Sequence, residues 1–163
     1  MLYFSYGSNM SLQRMRERVP NAELISTATL FGHQLKFHKL SKDLSGKCDA
    51  YCTNRKDDFV IGIVYKIDPN EKRELDRIEV LDYGYVNKIV KLQGCQGQAI
   101  VAVTYCATKI DQNLKPYHWY KEHVLRGAEA AKLPNKYIES IRNIESLEDP
   151  DRLKAQKELS IYS

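Results

Sequence analysis

The sequence predicts an α+β fold in which a mixed, partly closed β-sheet carries a few helices. Three observations support this prediction. Six or seven short apolar or alternating segments with the period of strands occupy most of residues 1–107. One well-capped helix interrupts them after Asp68, and two segments with helical periodicity occupy the last third of the chain.

Length and composition are those of one globular domain covering residues 1–163. Of the 163 residues, 43% are hydrophobic and 28% are charged, which is enough for a real core. The formal net charge of +4 is small and spread along the chain, whereas a dedicated nucleic-acid binder carries a concentrated basic face. No apolar run approaches the roughly 18 residues of a membrane span, and charges interrupt the N-terminal region early. We therefore expect a cytoplasmic protein that binds neither membranes nor nucleic acid.

The cysteines and histidines lack the spacing of a metal site. Cys48 and Cys52 are four residues apart, Cys95 and Cys106 lie far along the chain, and no CxxC or histidine pair accompanies them. Cys48, Cys52 and Cys106 fall in segments that alternate as strands do, so we expect buried free thiols there. No metal and no other cofactor is indicated.

The chain begins with a strand and a short helix. Residues 2–6 form an apolar and aromatic run that is typical of a buried strand. Ser11 can cap a helix with one apolar face, and Pro20 ends it. Three further strands are expected, at residues 28–31, 35–40 and 48–52.

The strongest strand and the clearest helix are adjacent. Residues 59–67 are apolar on both faces, which favours a central position in the sheet. Asp68 can cap the next helix, Pro69 occupies its first position, and Glu71 lies three residues past the cap. We predict that this helix continues to residue 81.

A hairpin and a helical end complete the chain. Residues 85–92 and 99–106 are predicted strands, and the turn at 94–97 contains two glycines. Two segments then share helical periodicity, residues 116–131 and 134–147. The tail from Asp151 is charged and amphipathic, either helical or frayed.

The break after the first strand is the first candidate site. Gly7-Ser8-Asn9 joins a strand to the start of a helical pattern, so several backbone N–H groups would point into one space. Gly7 allows close approach of a ligand and a positive φ, and a helix N-terminus adds partial positive charge. Such a loop can hold an anion or a developing oxyanion, although most loops of this kind are plain turns.

Glu79 is the candidate acid–base residue. It lies at the end of the predicted helix among Ile78, Val80 and Leu81. A glutamate in such a place is often solvated or caps a neighbouring group. Held instead in a partly apolar pocket, its carboxylate would bind a proton near neutral pH and could serve as a general base.

Together these segments resemble the γ-glutamylcyclotransferases. The run Leu2-Tyr3-Phe4-Ser5-Tyr6-Gly7-Ser8-Asn9 is similar to the N-terminal signature of that family. Residues 60–65 match its central strand, and Leu75-Asp76-x-x-Glu79 with residues 84–86 matches the segment of its catalytic glutamate. Further matches follow in order at Tyr105, Tyr120-Lys121, Gly127-Ala128, Leu133-Pro134 and Tyr137. The likeness covers about residues 2–145.

The resemblance implies a small mixed β-barrel with flanking helices and a single pocket between the first loop and the helix end at Glu79. It also implies that the α-amine of a γ-glutamyl group attacks its own γ-carbonyl. The products would be 5-oxoproline and a free amino acid or amine, with Glu79 as general base and then general acid. The implied substrate-binding residues are Tyr3, Phe4, Ser5, Tyr6, Gly7, Ser8, Asn9, Tyr105 and Tyr120.

The residue types fit this chemistry and leave some choices open. The substrate supplies its own nucleophile, so no serine or cysteine nucleophile is needed, and ring closure benefits from a held geometry. The amides of Gly7 and Ser8 could bind either the α-carboxylate or the oxyanion, and the aromatic run ending at Tyr120 could instead be a core patch. A non-catalytic small-molecule-binding module of the same fold is the alternative function, against which the presence of Glu79 argues. The leaving group and the choice between monomer and homodimer stay open.

Overall fold

The computed structural model describes residues 1–79 and 84–163, which contain seven strands, five α-helices and two short 3-10 helices. The strands are β1 Leu2–Ser5, β2 Glu23–Phe31, β3 His33–Leu40, β4 Gly46–Cys52, β5 Phe59–Lys66, β6 Tyr85–Gly94 and β7 Ala99–Ala107. The helices are α1 Leu12–Arg18, α2 Pro69–Ile78, α3 His118–Ala130, α4 Asn135–Arg142 and α5 Arg152–Leu159. The 3-10 helices are Ser8–Met10 and Ser160–Tyr162.

Five strands close into a barrel in the order β1-β5-β2-β6-β7, while β3 and β4 form a separate two-stranded sheet. Strand β1 runs parallel to β7, with Tyr3 opposite Val103, and the other barrel pairs are antiparallel. The predicted α+β fold with a mixed barrel and flanking helices is therefore confirmed. The apolar strand β5 pairs with both β1 and β2, as expected for a central strand.

The core lies inside the barrel and under α1, α3 and α4. Phe4, Val64 and Tyr65 are completely buried, as are Met15 and Val19 around α1. Full burial of one such side chain stabilises the fold by about 1.5–3 kcal/mol. The inner face of α1 thus anchors the segment that follows β1.

Helix α3 packs tightly against the 3-10 turn that follows the first strand. A Cβ at Gly127 would lie 2.5 Å from the backbone carbon of Met10 and from the amide nitrogen of Ser11. Only glycine allows this approach, because any side chain would overlap the turn. The contact fixes the position of the loop that bears the candidate site.

The start of α2 follows the predicted signals closely. Asp68 is its N-cap and accepts a hydrogen bond from the Asn70 amide at 2.7 Å, with Pro69 in the first helical position. Glu71 does not complete a capping box, since its Oε1 instead accepts a hydrogen bond from the Asn21 side chain at 2.9 Å. Helix α2 ends at Ile78, and the predicted continuation through residues 80 and 81 lies outside the described residues.

The C-terminal third is less helical than the periodicity suggested. Helix α4 ends at Arg142 rather than at residue 147, because the following segment extends and Leu147 forms a parallel bridge with Tyr117. The tail is helical: Asp151 caps α5 by accepting a hydrogen bond from the Lys154 amide at 3.0 Å. No helix in residues 1–79 and 84–163 combines the length and apolar character needed to cross a membrane.

All four cysteines are free thiols. Cys48 and Cys106 are buried as predicted, and burial raises the pKa of the Cys106 thiol to about 11. The prediction is wrong for Cys52, which is exposed because the last two residues of β4 face solvent.

Candidate functional site

A narrow pocket lies where the loop after β1 meets the C-terminal end of α2. It has a volume of about 30 Å³, room for only a few waters. Eight of the predicted substrate-binding residues and the predicted base line it: Tyr3, Ser5, Tyr6, Gly7, Ser8, Asn9, Tyr105, Tyr120 and Glu79. The structure thus brings two sequence-distant candidate segments together.

Phe4 is the predicted site residue that the structure places elsewhere. Side chains alternate along a strand, so Tyr3 and Ser5 face the pocket while Phe4 points into the core with no exposed surface. The hydroxyl of Ser5 is buried and has no hydrogen-bond partner among the described residues. The Ser5 hydroxyl is therefore an unpaired polar group on the face of β1 that lines the pocket.

Gly7 serves close packing rather than a left-handed backbone. Its φ is −114°, so the backbone does not use the positive φ that glycine allows. A Cβ at this position would lie 3.0 Å from Cys48 Cβ and 3.4 Å from the Tyr120 hydroxyl. Glycine is used here because the pocket wall leaves almost no room for a side chain.

Several backbone amides of the loop after β1 have no acceptor among the described residues. The amides of Met10 and Ser11 donate to the carbonyls of Gly7 and Ser8 within the 3-10 turn. The amides of Gly7, Ser8 and Asn9 donate to no acceptor in the described part of the chain. Unpaired N–H groups at such a turn can bind a negatively charged oxygen.

Glu79 lies immediately after α2, as its C-cap residue, and its side chain is 18% exposed. Its Oε1 accepts hydrogen bonds from Arg18 at 2.7 Å and from the Asn9 amide group at 3.1 Å. A guanidinium and an amide therefore hold this carboxylate, which adds polar contacts to the partly apolar pocket expected from the sequence. Two of the expected apolar neighbours, Val80 and Leu81, lie outside the described residues.

Asn9 links the groups around Glu79. Besides binding Glu79, its amide nitrogen donates to the Tyr3 hydroxyl at 3.1 Å, and its carbonyl oxygen accepts from Arg18 at 2.9 Å. Burial and the nearby Glu79 charge raise the pKa of Tyr3, so its hydroxyl stays neutral. This network fixes the orientation of Glu79 Oε1 and leaves Oε2 with no hydrogen bond from the described residues.

The tyrosines hold the pocket walls. Tyr120 accepts a hydrogen bond from the Cys48 amide at 3.0 Å, and burial keeps the pKa of Tyr120 well above its usual value. Tyr105 donates to Asp76 Oδ1 at 2.7 Å, and the Tyr6 hydroxyl donates to the Tyr105 carbonyl. The Tyr105 hydroxyl is therefore engaged within the protein, and the Tyr120 hydroxyl is held beside Cys48.

Four residues of this site were not predicted from the sequence: Arg18, Cys48, Tyr85 and Thr104. Tyr85 lines the pocket and donates to the Cys48 carbonyl at 2.7 Å. Thr104 donates to the Phe4 carbonyl at 2.8 Å. The only sequence signal for Arg18 was its place in the last turn of α1, where a basic residue is also expected for helix stability.

The narrow pocket opens into a much wider groove of about 1020 Å³. Ser8, Glu79, Tyr85 and Tyr120 line both spaces and so mark their junction. A ligand larger than a few waters must therefore occupy this junction. There, a carboxylate oxygen and unpaired amides can act on the same group, as proton transfer combined with oxyanion binding requires.

Comparison with known proteins gives a consistent result. The AIG2-like family model matches residues 59–141. The γ-glutamylcyclotransferase of Homo sapiens is 32% identical over 149 residues, which cover 88% of this chain and 78% of that protein. The γ-glutamylcyclotransferase of Mus musculus is 28% identical over 161 residues, or 96% of this chain and 85% of that protein. A solved structure named gamma-glutamyl cyclotransferase superposes with a TM-score of 0.84 at 29% identity, covering 90% of this chain and 89% of the other.

Proposed function

Because this chain belongs to the γ-glutamylcyclotransferase family and is an enzyme of that type, we propose that it converts a γ-glutamyl amino acid or γ-glutamyl amine to 5-oxoproline. The other product is the free amino acid or amine. Glu79 is the proposed general base and then general acid. The alternative, a binding module without turnover, has no observation in its favour.

One observation carries this proposal: Glu79 and the unpaired amides of the loop share one pocket. Asn9 follows Gly7 and Ser8 directly in the chain and donates a hydrogen bond to Glu79 at 3.1 Å. A γ-glutamyl group at the junction of pocket and groove would reach both. The geometry supports a proton acceptor on one side of the reacting carbonyl and an anion site on the other.

The reaction balances with the groups present. Glu79 takes a proton from the substrate α-ammonium, and the resulting amine attacks the γ-carbon to form the five-membered ring. The γ-carbonyl oxygen becomes an oxyanion, the ring nitrogen carries a positive charge, and Glu79 gives its proton to the leaving nitrogen. The carbonyl re-forms as the bond from the γ-carbon to that nitrogen breaks, and the second proton of the ring nitrogen passes to the released amine, which leaves as an ammonium. The amides of Gly7 and Ser8 bind a negative oxygen of the substrate, either the oxyanion or the α-carboxylate.

Binding geometry and electrostatics supply the catalysis. Holding the chain of the γ-glutamyl group in a ring-closing conformation removes several kcal/mol from the barrier. The α-amine titrates at about 8 and a free glutamate at about 4.3, so proton transfer between free groups of these two types is uphill by roughly 5 kcal/mol in water. Glu79 lies beside the negative end of the α2 dipole, and Arg18 compensates for that negative charge.

The deciding experiment uses γ-glutamyl-alanine and measures 5-oxoproline formation by the wild type and by Glu79→Gln. Loss of the acid–base group lowers kcat by about 10²- to 10⁴-fold. Glu74→Gln on the same helix is the matched control, because Glu74 pairs with no residue in 1–79 and 84–163 except the exposed Arg77. Absence of wild-type turnover on a panel of γ-glutamyl compounds, or full activity of Glu79→Gln, rules out this mechanism.

The remaining features stay predictions. We propose a small-molecule γ-glutamyl substrate, a cytoplasmic location and a monomer or homodimer, with no nucleic-acid partner. Four free thiols suit the reducing cytoplasm. A metal or other cofactor is not required, since the nucleophile belongs to the substrate and Glu79 transfers the proton.

A further inference from the structure

The segment of residues 151–163 contacts the loop of the candidate site from outside the pocket. It contains α5 and the 3-10 helix Ser160–Tyr162, and the narrow pocket is lined by other residues. The Tyr162 hydroxyl donates a hydrogen bond to Ser11 Oγ at 2.8 Å. Ser11 directly follows the turn Ser8–Met10 and is the N-cap of α1. One hydroxyl thus joins the segment to the end of the loop.

Helix α3 holds Tyr162 from the other side. The Tyr162 hydroxyl oxygen lies 2.6 Å from Nδ1 of His123, a side chain with no exposed surface. A tyrosine hydroxyl has one proton, and Tyr162 gives it to Ser11, so its oxygen accepts a hydrogen bond from His123 Nδ1. The same helix carries Tyr120, which lines the pocket. Tyr162 therefore links the loop to the helix that forms another wall of the pocket.

A second connection runs through Arg14 in the first turn of α1. Arg14, like Arg18 and Lys39, lines the wide groove. Its Nη1 lies 2.5 Å from Glu158 Oε2 and 3.0 Å from His123 Nε2. Arg14 and Arg18 are four residues apart, so both lie on one face of α1. One of these arginines binds the segment 151–163, and the other binds the proposed base.

Helix α1 connects these contacts to the reacting groups. It begins directly after Ser11 and ends at Arg18, which donates to Glu79 at 2.7 Å. A helix of two turns moves as a unit, because hydrogen bonds between its turns fix the backbone. A shift of the cap at Ser11 therefore shifts Arg18 and the carboxylate that it orients. The amides of Ser8 and Asn9 belong to the turn that precedes Ser11, so they move as well.

We propose that Tyr162 is a positioning residue of the cyclotransferase reaction. Through Ser11 it fixes the amide donors of the loop and the start of α1, and through α1 the orientation of Glu79. This inference rests on the proposed function and adds to it a residue outside the pocket. Tyr162 contacts neither the substrate nor Glu79, so its effect on turnover passes through Ser11.

The test measures 5-oxoproline formation from γ-glutamyl-alanine by Tyr162→Phe, Ser11→Ala and the double variant. Tyr162→Phe keeps the ring, whose centroid lies 5.4 Å from that of His123, and removes only the hydroxyl. We expect kcat to fall by about 2- to 10-fold, the range for one hydrogen bond. KM stays within about twofold, because the residues that line the pocket are unchanged. In the Ser11→Ala background Tyr162→Phe causes no further loss, since both changes remove the same hydrogen bond.

Tyr137→Phe is the matched control. Tyr137 is half-buried like Tyr162, and its hydroxyl contacts the backbone nitrogen and oxygen of Ile61 at 3.1 and 3.2 Å. These contacts join α4 to β5, and neither residue lines the pocket or the groove. Tyr137→Phe therefore loses stability and keeps the kcat of the wild type.

The fluorescence of Trp119 shows whether the segment remains docked. Trp119 is the only tryptophan of the chain. Its Nε1 donates to Asp149 Oδ2 at 2.8 Å, and Lys154 Nζ lies 5.2 Å from its ring centroid. We expect Tyr162→Phe to keep the emission maximum of the wild type, so that the loss of kcat belongs to the hydroxyl. A loss of kcat that appears only together with a red-shifted emission overturns the role of the hydroxyl.

The outcomes separate this inference from the proposed function. A wild-type kcat in folded Tyr162→Phe overturns the role of Tyr162 and leaves the cyclotransferase mechanism intact. An equal loss of kcat in Tyr137→Phe, or the same loss from Tyr162→Phe with and without Ser11, also overturns it. The single variant decides the question even if Ser11→Ala does not fold. No 5-oxoproline from the wild type with any γ-glutamyl compound overturns both.

Discussion

Arg18 Nη1 lies 2.7 Å from Oε1 of Glu79, although 61 positions separate the two residues in the chain. The ion pair joins the end of α1 to the end of α2 and closes one side of the pocket. Because Arg18 also donates to Asn9 Oδ1 at 2.9 Å, it orients both the proposed base and the loop. We interpret Arg18 as a positioning residue.

Replacing Arg18 by Met removes this orientation while keeping the aliphatic stem. We expect kcat/KM for γ-glutamyl-alanine to fall by about 10- to 100-fold, since small misplacements of a catalytic group have effects of that size. Arg18→Lys, which can still donate to Glu79, is expected to recover part of the loss. Steady-state kinetics of both variants give these changes in kcat/KM.

Arg16→Met is the control for the Arg18 variants, because Arg16 is an exposed residue of the same helix. Its kinetics should match the wild type. Unchanged kcat/KM in folded Arg18→Met would show that Glu79 is held by other groups.

Gly7→Ala tests whether the glycine is present for space. The new methyl carbon would approach Cys48 Cβ to 3.0 Å, so the loop must move by a few tenths of an ångström. A φ of −114° suits alanine, and we therefore expect a free energy of unfolding within about 1 kcal/mol of the wild type. We expect kcat/KM to fall by roughly tenfold, because the amide donors shift.

Urea unfolding and kinetics on the same preparation decide between the two roles of Gly7. A large loss of stability with unchanged activity would mean that the glycine serves folding and not the site.

The local features of this site could be predicted from sequence, and the long-range ones could not. The strand before Gly7 and the start of α2 depend on neighbouring residues: an apolar run, the Asp68 cap and Pro69. The alternation of side chains along β1, which directs Phe4 away from the pocket, also follows from the sequence. The resemblance to the family covers the whole run of residues 2–9 and does not separate Phe4 from its neighbours.

Arg18 and Lys39 depend instead on how the chain closes. Each is one of 25 lysines and arginines in the sequence, and residues of these two types are usually exposed. Nothing in the neighbouring sequence distinguishes either of them from the others. Arg18 meets Glu79 only when α1 and α2 end at the same side of the barrel. Lys39 becomes buried only when the separate sheet of β3 and β4 packs beside Gly84 and Tyr85.

Tyr120→Phe tests the hydrogen bond that fixes the second sheet to the pocket. The buried Cys48 amide loses its acceptor at 3.0 Å, and an unsatisfied buried donor costs about 1–3 kcal/mol. We expect that loss in the free energy of unfolding, together with a higher KM because Tyr120 lines the pocket.

Tyr51→Phe is the matched control for the Tyr120 variant. Tyr51 is exposed, and its hydroxyl has no hydrogen bond within the described residues. Chemical denaturation should show no difference between this control and the wild type. Equal stability of Tyr120→Phe and the wild type would contradict the importance of the Cys48 contact.

The docking of the C-terminal helix should depend on pH through Glu158. Its Oε2 accepts from Arg14 at 2.5 Å and contacts His123 Nε2 at 3.3 Å. Burial alone would raise the pKa of Glu158, but the hydrogen bond from His123 and the charge of Arg14 lower it to about 2. In the unfolded chain a glutamate titrates near ~4.3.

The direction of the pH dependence of stability follows from these two pKa values of Glu158. Below about pH 4.3 the unfolded chain binds a proton at Glu158 while the native protein does not, so stability falls as the pH is lowered towards 2. Burial also lowers the pKa of His123. This adds a further loss of stability that begins as the pH falls below about 6.5, whether or not Glu158 is present.

We therefore expect Glu158→Gln to be less stable than the wild type at pH 7, with a difference that shrinks as the pH falls from about 4.3 towards 2. Thermal unfolding of both proteins across pH 2–7 measures it. The exposed Glu148→Gln is the control and should follow the wild type at every pH. A stability difference that stays constant over this range would show that Glu158 contributes by packing and not by its charge.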